Sequence, residues 1–392
     1  MASSETTSSH YLLPFLLFSG FVAGACATSL YDKHNEKKSA KRSAGIKALT
    51  TKRAQEWKNR ALLSMEDISL EDIELVLECA SEMKERVLNE DESLLTIAPN
   101  KILGCIFYEP STRTCSSFQA AMQRLGGKLI SITDVQSSSV SKGETLDDTI
   151  RCLAQYCDAV CIRHPTKGAA KQAAIAAQVS KGGGKKKKEE FFLKKDNVPV
   201  INAGDGSGEH PTQVLLDLFT MFEYNERHRI DNLTMTFIDL KYRRTAHSLV
   251  PALFKFRNIK VHLVSPKFLA FPDELKNKLI EDERIKKHNN TIIESKEITQ
   301  TILQTTDVMY VTRIQKERFS DSSVYEKFKG VYVIDNSLLN KCKPTMILMH
   351  PLPRVDEIAT ECDDNPRSKY FQQMKCGMYV RMALLALILG NH

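Results

Sequence analysis

Residues 101–132 read KILGCIFYEPSTRTCSSFQAAMQRLGGKLISI, and the order of patterns in this stretch decides the fold. Residues 102–108 form a short apolar run of strand length. Glu109, Pro110, Ser111, Thr112, Arg113 and Thr114 then turn the chain into a segment in which Phe118 and Met122 stand four residues apart, the spacing of one helical face. A second short run follows at 128–132. Strand, turn, helix and strand in this order predict two parallel strands joined by a crossover helix. The same rhythm continues outward. Strands are expected at 159–162, 198–202, 234–238, 260–264, 308–311, 331–334 and 346–349, and helices at 116–125, 145–156, 212–223 and 247–256. Ser69, with Asp72 three residues on, reads as a helix N-cap with an acidic N3, and Leu70, Ile73, Val76, Leu77, Ala80 and Met83 follow at helical spacing. The strand count fits an α/β fold of two doubly wound parallel-sheet domains with helices on both faces.

The length of 392 residues accommodates two such domains. The formal charge of +7 would suggest an acidic partner, but residues 31–60 carry ten Lys and Arg against Asp32, Glu36 and Glu56. Residues 61–392 are left at +1, so the body has no electrostatic footprint for nucleic acid. Residues 11–27 (YLLPFLLFSGFVAGACA) are apolar, interrupted by Pro14 and Gly20, and end in Ala-Cys-Ala. With the basic, Ser- and Thr-bearing stretch behind them they resemble a two-part leader to a plastid-like organelle, and a membrane is reached only through that leader if it stays uncleaved. The alternatives are an uncleaved anchor, or a misassigned start codon and a cytoplasmic protein. The folded body is expected to start near residue 61, with nothing before it belonging to the fold. Residues 180–196 (SKGGGKKKKEEFFLKKD) break the rhythm and read as a solvated loop. The ten cysteines form no CxxC pair, and no metal site or cofactor loop is expected.

Ser, Thr and backbone amides at a helix N-terminus make an anion site, and Arg113 adds a forked cation matched to phosphate. Ser-Thr-Arg-Thr alone fits an ordinary N-cap with a solvent-facing arginine equally well. Other polar runs stand at strand ends, where open parallel sheets bind ligands: Ser141 to Thr145, Arg163-His164-Pro165, Gly204 to Gln213, Asp239 to Thr245, Thr312 to Gln315, and His350 to Arg354. They are rich in cations and poor in carboxylates, which suits a phosphate plus a dicarboxylate. Cys115, in the first turn of the expected phosphate-binding helix, is expected to have a lowered pKa and to be shielded by substrate.

In order, FYEPSTRT, KGETLDDT, RHP, NAGDGSGEHPTQ, DLKYRRT, TRIQKERF, HPLPRVDEIAT and YFQQMKCGMYVRMALLALIL resemble the catalytic chains of the aspartate carbamoyltransferase family from about residue 61 to the end. The ornithine branch shares the phosphate motif but has cysteine where Pro351 stands. The resemblance implies a leader at 1–60, a carbamoyl phosphate-binding domain at 61–207, an aspartate-binding domain at 208–365, and a C-terminal helix at 366–392 returning to the first domain. It implies carbamoyl transfer to L-aspartate early in pyrimidine synthesis, without a cofactor, in a homotrimer with active sites shared between subunits. By resemblance Ser111, Thr112, Arg113 and Thr114 bind phosphate, while Thr114, Arg163 and His210 donate to the carbonyl oxygen. Gln213 and the carbonyls of Pro351 and Leu352, the latter before a cis proline, accept from the carbamoyl NH₂. Arg244, Arg313, Gln315 and Lys142 meet aspartate, and Ser138 lies with Lys142 in the loop that reaches a neighbouring subunit. Arg354, Asp356 and Glu357 are expected to form a structural ion-pair network. An ornithine-type enzyme is one alternative; a non-catalytic paralogue is another, motivated by Ile238 and Arg243, which stand where the family has glycines. Arg243→Gly is expected to leave the KM for aspartate nearly unchanged. A guanidinium that contacts a substrate carboxylate would instead raise it by the equivalent of about 1.5–3 kcal/mol, which steady-state kinetics distinguishes.

Overall fold

The computed structural model describes residues 47–133, 139–178, 197–238, 244–313 and 330–390. The apolar leader, the loop at 180–196, Ser138, the run 239–243 and Gln315 lie outside the described residues.

The first described elements are a 3-10 turn at Lys47–Thr50 and helices α1 (Lys52–Trp57) and α2 (Leu70–Leu88). Then come β1 (Ile102–Phe107), α3 (Thr112–Arg124), β2 (Lys128–Ile132), a 3-10 turn at Ser139–Lys142, α4 (Leu146–Leu153), β3 (Ala159–His164), α5 (Ala169–Ala176) and β4 (Val200–Asp205). These strands form a parallel sheet in the order β2-β1-β3-β4. Helix α6 (Pro211–Tyr224) leads to β5 (Thr234–Ile238), α7 (Arg244–Leu253), β6 (Lys260–Val264), α8 (Asp273–Glu281), β7 (Thr291–Ser295), α9 (Gln300–Thr305), β8 (Val308–Val311) and β9 (Ile347–Met349). Their sheet, also parallel, runs β7-β6-β5-β8-β9. The chain ends in α10 (Tyr370–Leu389), which packs on α2, α3 and α6.

Alternate residues of each strand serve opposite cores, as a period of two requires. In β1, Leu103, Cys105 and Phe107 join the core shared with α2, α3, α6 and α10, while Ile106 joins the one under α4 and α5. In the second sheet, Met235, Phe237, Leu263 and Tyr310 face the large core with α7, and Ile238, Val264, Met309 and Val311 face a separate one with α9. Helices therefore cover both faces of each sheet. The large core runs through α6 and α10 and joins the two halves.

Three expectations are corrected. Residues 331–334 are not a strand: Ile334 makes a single bridge to Ile358, and Val331 and Val333 remain exposed. Strand β7 was not foreseen because it is a half-exposed edge whose Thr, Glu and Ser residues dilute the apolar pattern. Residues 47–60, expected to lie outside the fold, belong to it. Trp57 is fully buried, and its indole Nε1 donates to Asp72 Oδ1 at 3.1 Å. Arg53 and Arg60 pair with the same carboxylate at 3.0 and 3.1 Å, and Ser69 and Asp72 form the capping box that opens α2. Burial alone would raise the Asp72 pKa, but Arg60, the Ser69 amide and Arg53 outweigh it and hold the carboxyl below its ordinary value. That stabilisation is present above the unfolded-state pKa and is lost as pH falls through the folded one. Trp57→Ala is expected to cost about 3–5 kcal/mol in urea unfolding at neutral pH. A chain begun near residue 55, which lacks Arg53, should unfold earlier than one begun at residue 46.

Candidate active site

The C-terminal ends of β1, β3 and β4 in one sheet and of β8 and β9 in the other open onto a cleft of about 950 Å³. That is near the top of the ~300–1,000 Å³ range of small-molecule sites, with room for two small substrates. Ser111 to Thr114 line it at the start of α3, and His210 and Gln213 at the start of α6. Neither Ser111 nor His210, the two N-cap residues, makes a side-chain cap bond. The N-termini of two long helices thus border the same space, each with the positive end of its dipole. Pro211 supports the start of α6, since it lacks an N–H where none is needed.

The turn between β4 and α6 passes against the segment after β3. Gly206 has φ +58° and donates its amide to His164 O at 2.8 Å, and a Cβ there would lie 1.9 Å from Pro165 O. Only glycine fits. The two carboxylates of this turn are engaged in holding it. Asp205 accepts from the amides of Gly168 and Glu209 at 2.9 and 2.7 Å, and Glu209 accepts from Ser64 Oγ at 2.5 Å and Met65 N at 2.9 Å. Among the described lining residues, the cations are therefore Arg113, Arg163, Arg313, Lys375 and Arg381, against the single carboxylate of Glu109.

Partial burial and the neighbouring Arg163 charge push the Arg113 pKa below its ordinary value. Arg163 Nε meets Glu109 Oε2 at 3.2 Å. His210 Nε2 lies 3.5 Å from Thr114 Oγ1, and its Nδ1 lies 3.3 Å from Thr212 Oγ1. Thr212 Oγ1 in turn accepts from Arg381 Nη2 at 3.2 Å. Thr212 keeps its own O–H for donation, and donation to Nδ1 is the arrangement that places the imidazole proton on Nε2, toward Thr114 and the cleft.

The loop after β9 is fixed by a buried pair. His350 Nε2 and Glu357 Oε1 are 2.6 Å apart, and His350 Nδ1 accepts from Leu352 N at 2.8 Å. Glu357 Oε2 accepts from the Val355 and Asp356 amides at 3.1 Å. Burial would raise the Glu357 pKa, but His350 and the amides lower it below the ordinary value. The Leu352–Pro353 bond is cis. The expected network of Arg354, Asp356 and Glu357 is corrected to two separate ones, since Arg354 pairs with Asp363 at 2.5 and 2.6 Å.

The cleft brings together Ser111, Thr112, Arg113 and Thr114 with Arg163 and His210, and adds Gln213, Arg313, Pro351 and Leu352. Lys142 is exposed on its 3-10 turn and does not line its own chain's cleft. Arg244 opens α7, its side chain outside the described set. Cys115 is corrected: it is buried, Gln119 Nε2 donates to its sulfur at 3.3 Å, and burial with Cys105 nearby pushes its pKa up, not down. Ile238, the departure from glycine, is fully buried beside Val264 and Val311, so that core absorbs its side chain. Sequence reading missed Lys375 and Arg381, which reach the cleft from a helix that reads as apolar core. The signal was Gly377 four residues before Arg381, where a Cβ would lie 2.6 Å from Arg381 Nη1.

The carbamoyl-P binding domain of the aspartate/ornithine carbamoyltransferase family matches residues 60–223, and the Asp/Orn binding domain of that family matches residues 231–388. The aspartate carbamoyltransferase catalytic subunit of Thermoplasma acidophilum is 43% identical over 335 residues, 85% of this chain and 99% of that one. The multifunctional protein pyr-3 of Neurospora crassa is 45% identical over 340 residues, and the chain spans 86% of itself but 17% of that longer protein. Among solved structures, aspartate transcarbamoylase from Trypanosoma cruzi in complex with carbamoyl phosphate and aspartate superposes with a TM-score of 0.75 at 36% identity, covering 86% of this chain and 98% of that one. The paired helix N-termini, the cationic cleft between two parallel sheets and the match over both domains agree: the chain belongs to the aspartate/ornithine carbamoyltransferase family.

Proposed function

We propose that this chain transfers the carbamoyl group of carbamoyl phosphate to the α-amine of L-aspartate, giving N-carbamoyl-L-aspartate and phosphate, an early step of pyrimidine synthesis. The observation that carries the reading is the convergence of the α3 and α6 N-termini, Arg113, Arg163 and His210 on one cleft whose far wall holds Arg313. A phosphate seated on the α3 amides and Arg113 leaves its carbamoyl carbon between Thr114, Arg163 and the Nε2–H of His210. These donors face the oxygen that gains charge as the amine adds, so they stabilise the tetrahedral intermediate more than the substrate. The amine lone pair forms the new C–N bond. The C–O bond to phosphate breaks, phosphate leaves with that electron pair, and it takes the amine proton. Gln213 Nε2 donates to Asp217 Oδ1 at 3.0 Å, which turns Gln213 Oε1 toward the cleft as an acceptor for the carbamoyl NH₂. Arg313, Arg244 and Gln315 meet the carboxylates of aspartate, by resemblance to the family. Carbamoyl transfer measured with aspartate and ornithine side by side is expected to yield the aspartate product alone. His210→Ala should lower kcat about 10²- to 10³-fold with little change in inorganic phosphate binding. Turnover of ornithine, or undiminished kcat in the variant, would refute the reading.

We also infer a homotrimer with shared sites. The support is that Lys142, a substrate residue by resemblance, stands exposed and away from its own chain's cleft. Arg113→Ala and Lys142→Ala should each be nearly inactive alone. Dissociated, mixed equally and reassembled at random, roughly three-quarters of the trimers contain both variants and one intact site each, so roughly a quarter of wild-type activity should return. Subunit exchange without recovery would exclude a shared site.

A further inference from the structure

Asp217 lies one turn beyond Gln213 on α6, fully buried and outside the cleft lining. Three side chains from three elements donate to it. Gln213 and Gln373 Nε2 both reach Oδ1, at 3.0 and 2.6 Å, and the Tyr310 hydroxyl reaches Oδ2 at 2.8 Å. Gln213 comes from the first turn of α6, Gln373 from α10, and Tyr310 from β8 of the second sheet. Gln373 uses its other amide atom, since Oε1 accepts from His350 N at 3.0 Å, immediately before Pro351 and Leu352. A carboxylate accepts and does not donate, so both glutamine amides must turn their nitrogens toward it. Their oxygens then face the other way: Gln373 Oε1 to the His350 amide, Gln213 Oε1 to the cleft.

We propose that Asp217 is a positioning residue for substrate selection: by accepting from Gln213 it fixes the amide so that the cleft presents an oxygen to the NH₂ of the carbamoyl group, and through Gln373 it holds the segment that carries the Pro351 and Leu352 carbonyls. This rests on the proposed carbamoyl phosphate reading. The alternative, an Asp217 that only joins α6, α10 and β8, would leave Gln213 free to present either end of its amide. Burial pushes the Asp217 carboxyl up to about 7, with Tyr310, Gln373 and Gln213 opposing the rise, so the ionised form is tested at pH 8.

The test compares carbamoyl phosphate with acetyl phosphate, which has a methyl group in place of the NH₂ and gains nothing from an acceptor oxygen. The readout on the full chain is the ratio of the two affinities. Gln213→Leu is expected to lower the preference for carbamoyl phosphate about 3- to 10-fold, the loss of one hydrogen bond, with acetyl phosphate affinity nearly unchanged. Asp217→Leu should lower the ratio by a similar factor, and the double variant should lower it no further. Asp217→Asn can keep its oxygen toward both glutamines and donate to the Tyr310 oxygen, and should retain the wild-type ratio. If Asp217→Leu does not fold, Asp217→Ala replaces it, because a water in the vacated space accepts and donates alike and fixes no orientation. A ratio unchanged in the Asp217→Leu or Asp217→Ala variant while Gln213→Leu has lost it makes Asp217 structural only and overturns the proposal. An unchanged ratio in Gln213→Leu overturns it as well. Failure of the underlying function is read separately, as absence of carbamoyl transfer to aspartate by the wild-type chain.

Discussion

A concentration of positive charge at the edge of two parallel sheets is the constraint around which the molecule is arranged. Arg113, Arg163, Arg313, Lys375 and Arg381 line one cleft with two helix N-termini. Partial burial and the repulsion between Arg113 and Arg163 lower the Arg113 pKa. Arg381, buried beside the Phe118 ring and Asp217, has its pKa drawn down to about 10 by burial, with Cys161 and Asp217 opposing the shift. The favourable terms that offset this are the large apolar core that runs from β1 through α6 and α10 to β5, and the Glu109 carboxylate that meets Arg163 at 3.2 Å.

The buried polar groups fall into three tiers below that charge. Asp205 and Glu209 hold the turn that carries His210, Glu357 holds the loop that carries Leu352, and Asp217 joins α6, α10 and β8. Each buried carboxylate accepts at least two hydrogen bonds, as burial of a charge demands. None of these four acids lines the cleft. The division leaves substrate contacts to cations, amides and hydroxyls, which stabilise an oxyanion, while the acids set their orientation. Asp72 does the same for the N-terminal segment, where one carboxylate gathers Arg53, Trp57, Arg60 and the Ser69 amide.

What the sequence alone determined is what depends on local pattern. Short apolar runs at 102–108 and 234–238 declared buried parallel strands, Ser69 and Asp72 declared a helix start, and the family motifs declared Arg113, Thr114, Arg163, His210 and Gln213 as one site. The run from Gly204 to Gln213 was legible as a polar segment at a strand end. Each of these rests on residues close in the chain, or on motifs whose order is itself the evidence. The reading failed where burial comes from distant partners. Trp57 and its neighbours look like a basic leader because their one carboxylate, Asp72, lies on the next helix, and Arg381 looks like a stray charge in an apolar helix. Strand β7 is polar because it is an edge, and the run at 331–334 is apolar without a sheet to join. Only the tertiary structure decided that Cys115 is buried with a raised pKa, that Ile238 is absorbed by a core, and that Asp217 gathers donors from three elements. The last of these depends on surfaces that meet across 93 and 156 residues of chain, and packing at that separation leaves no periodic trace in the sequence.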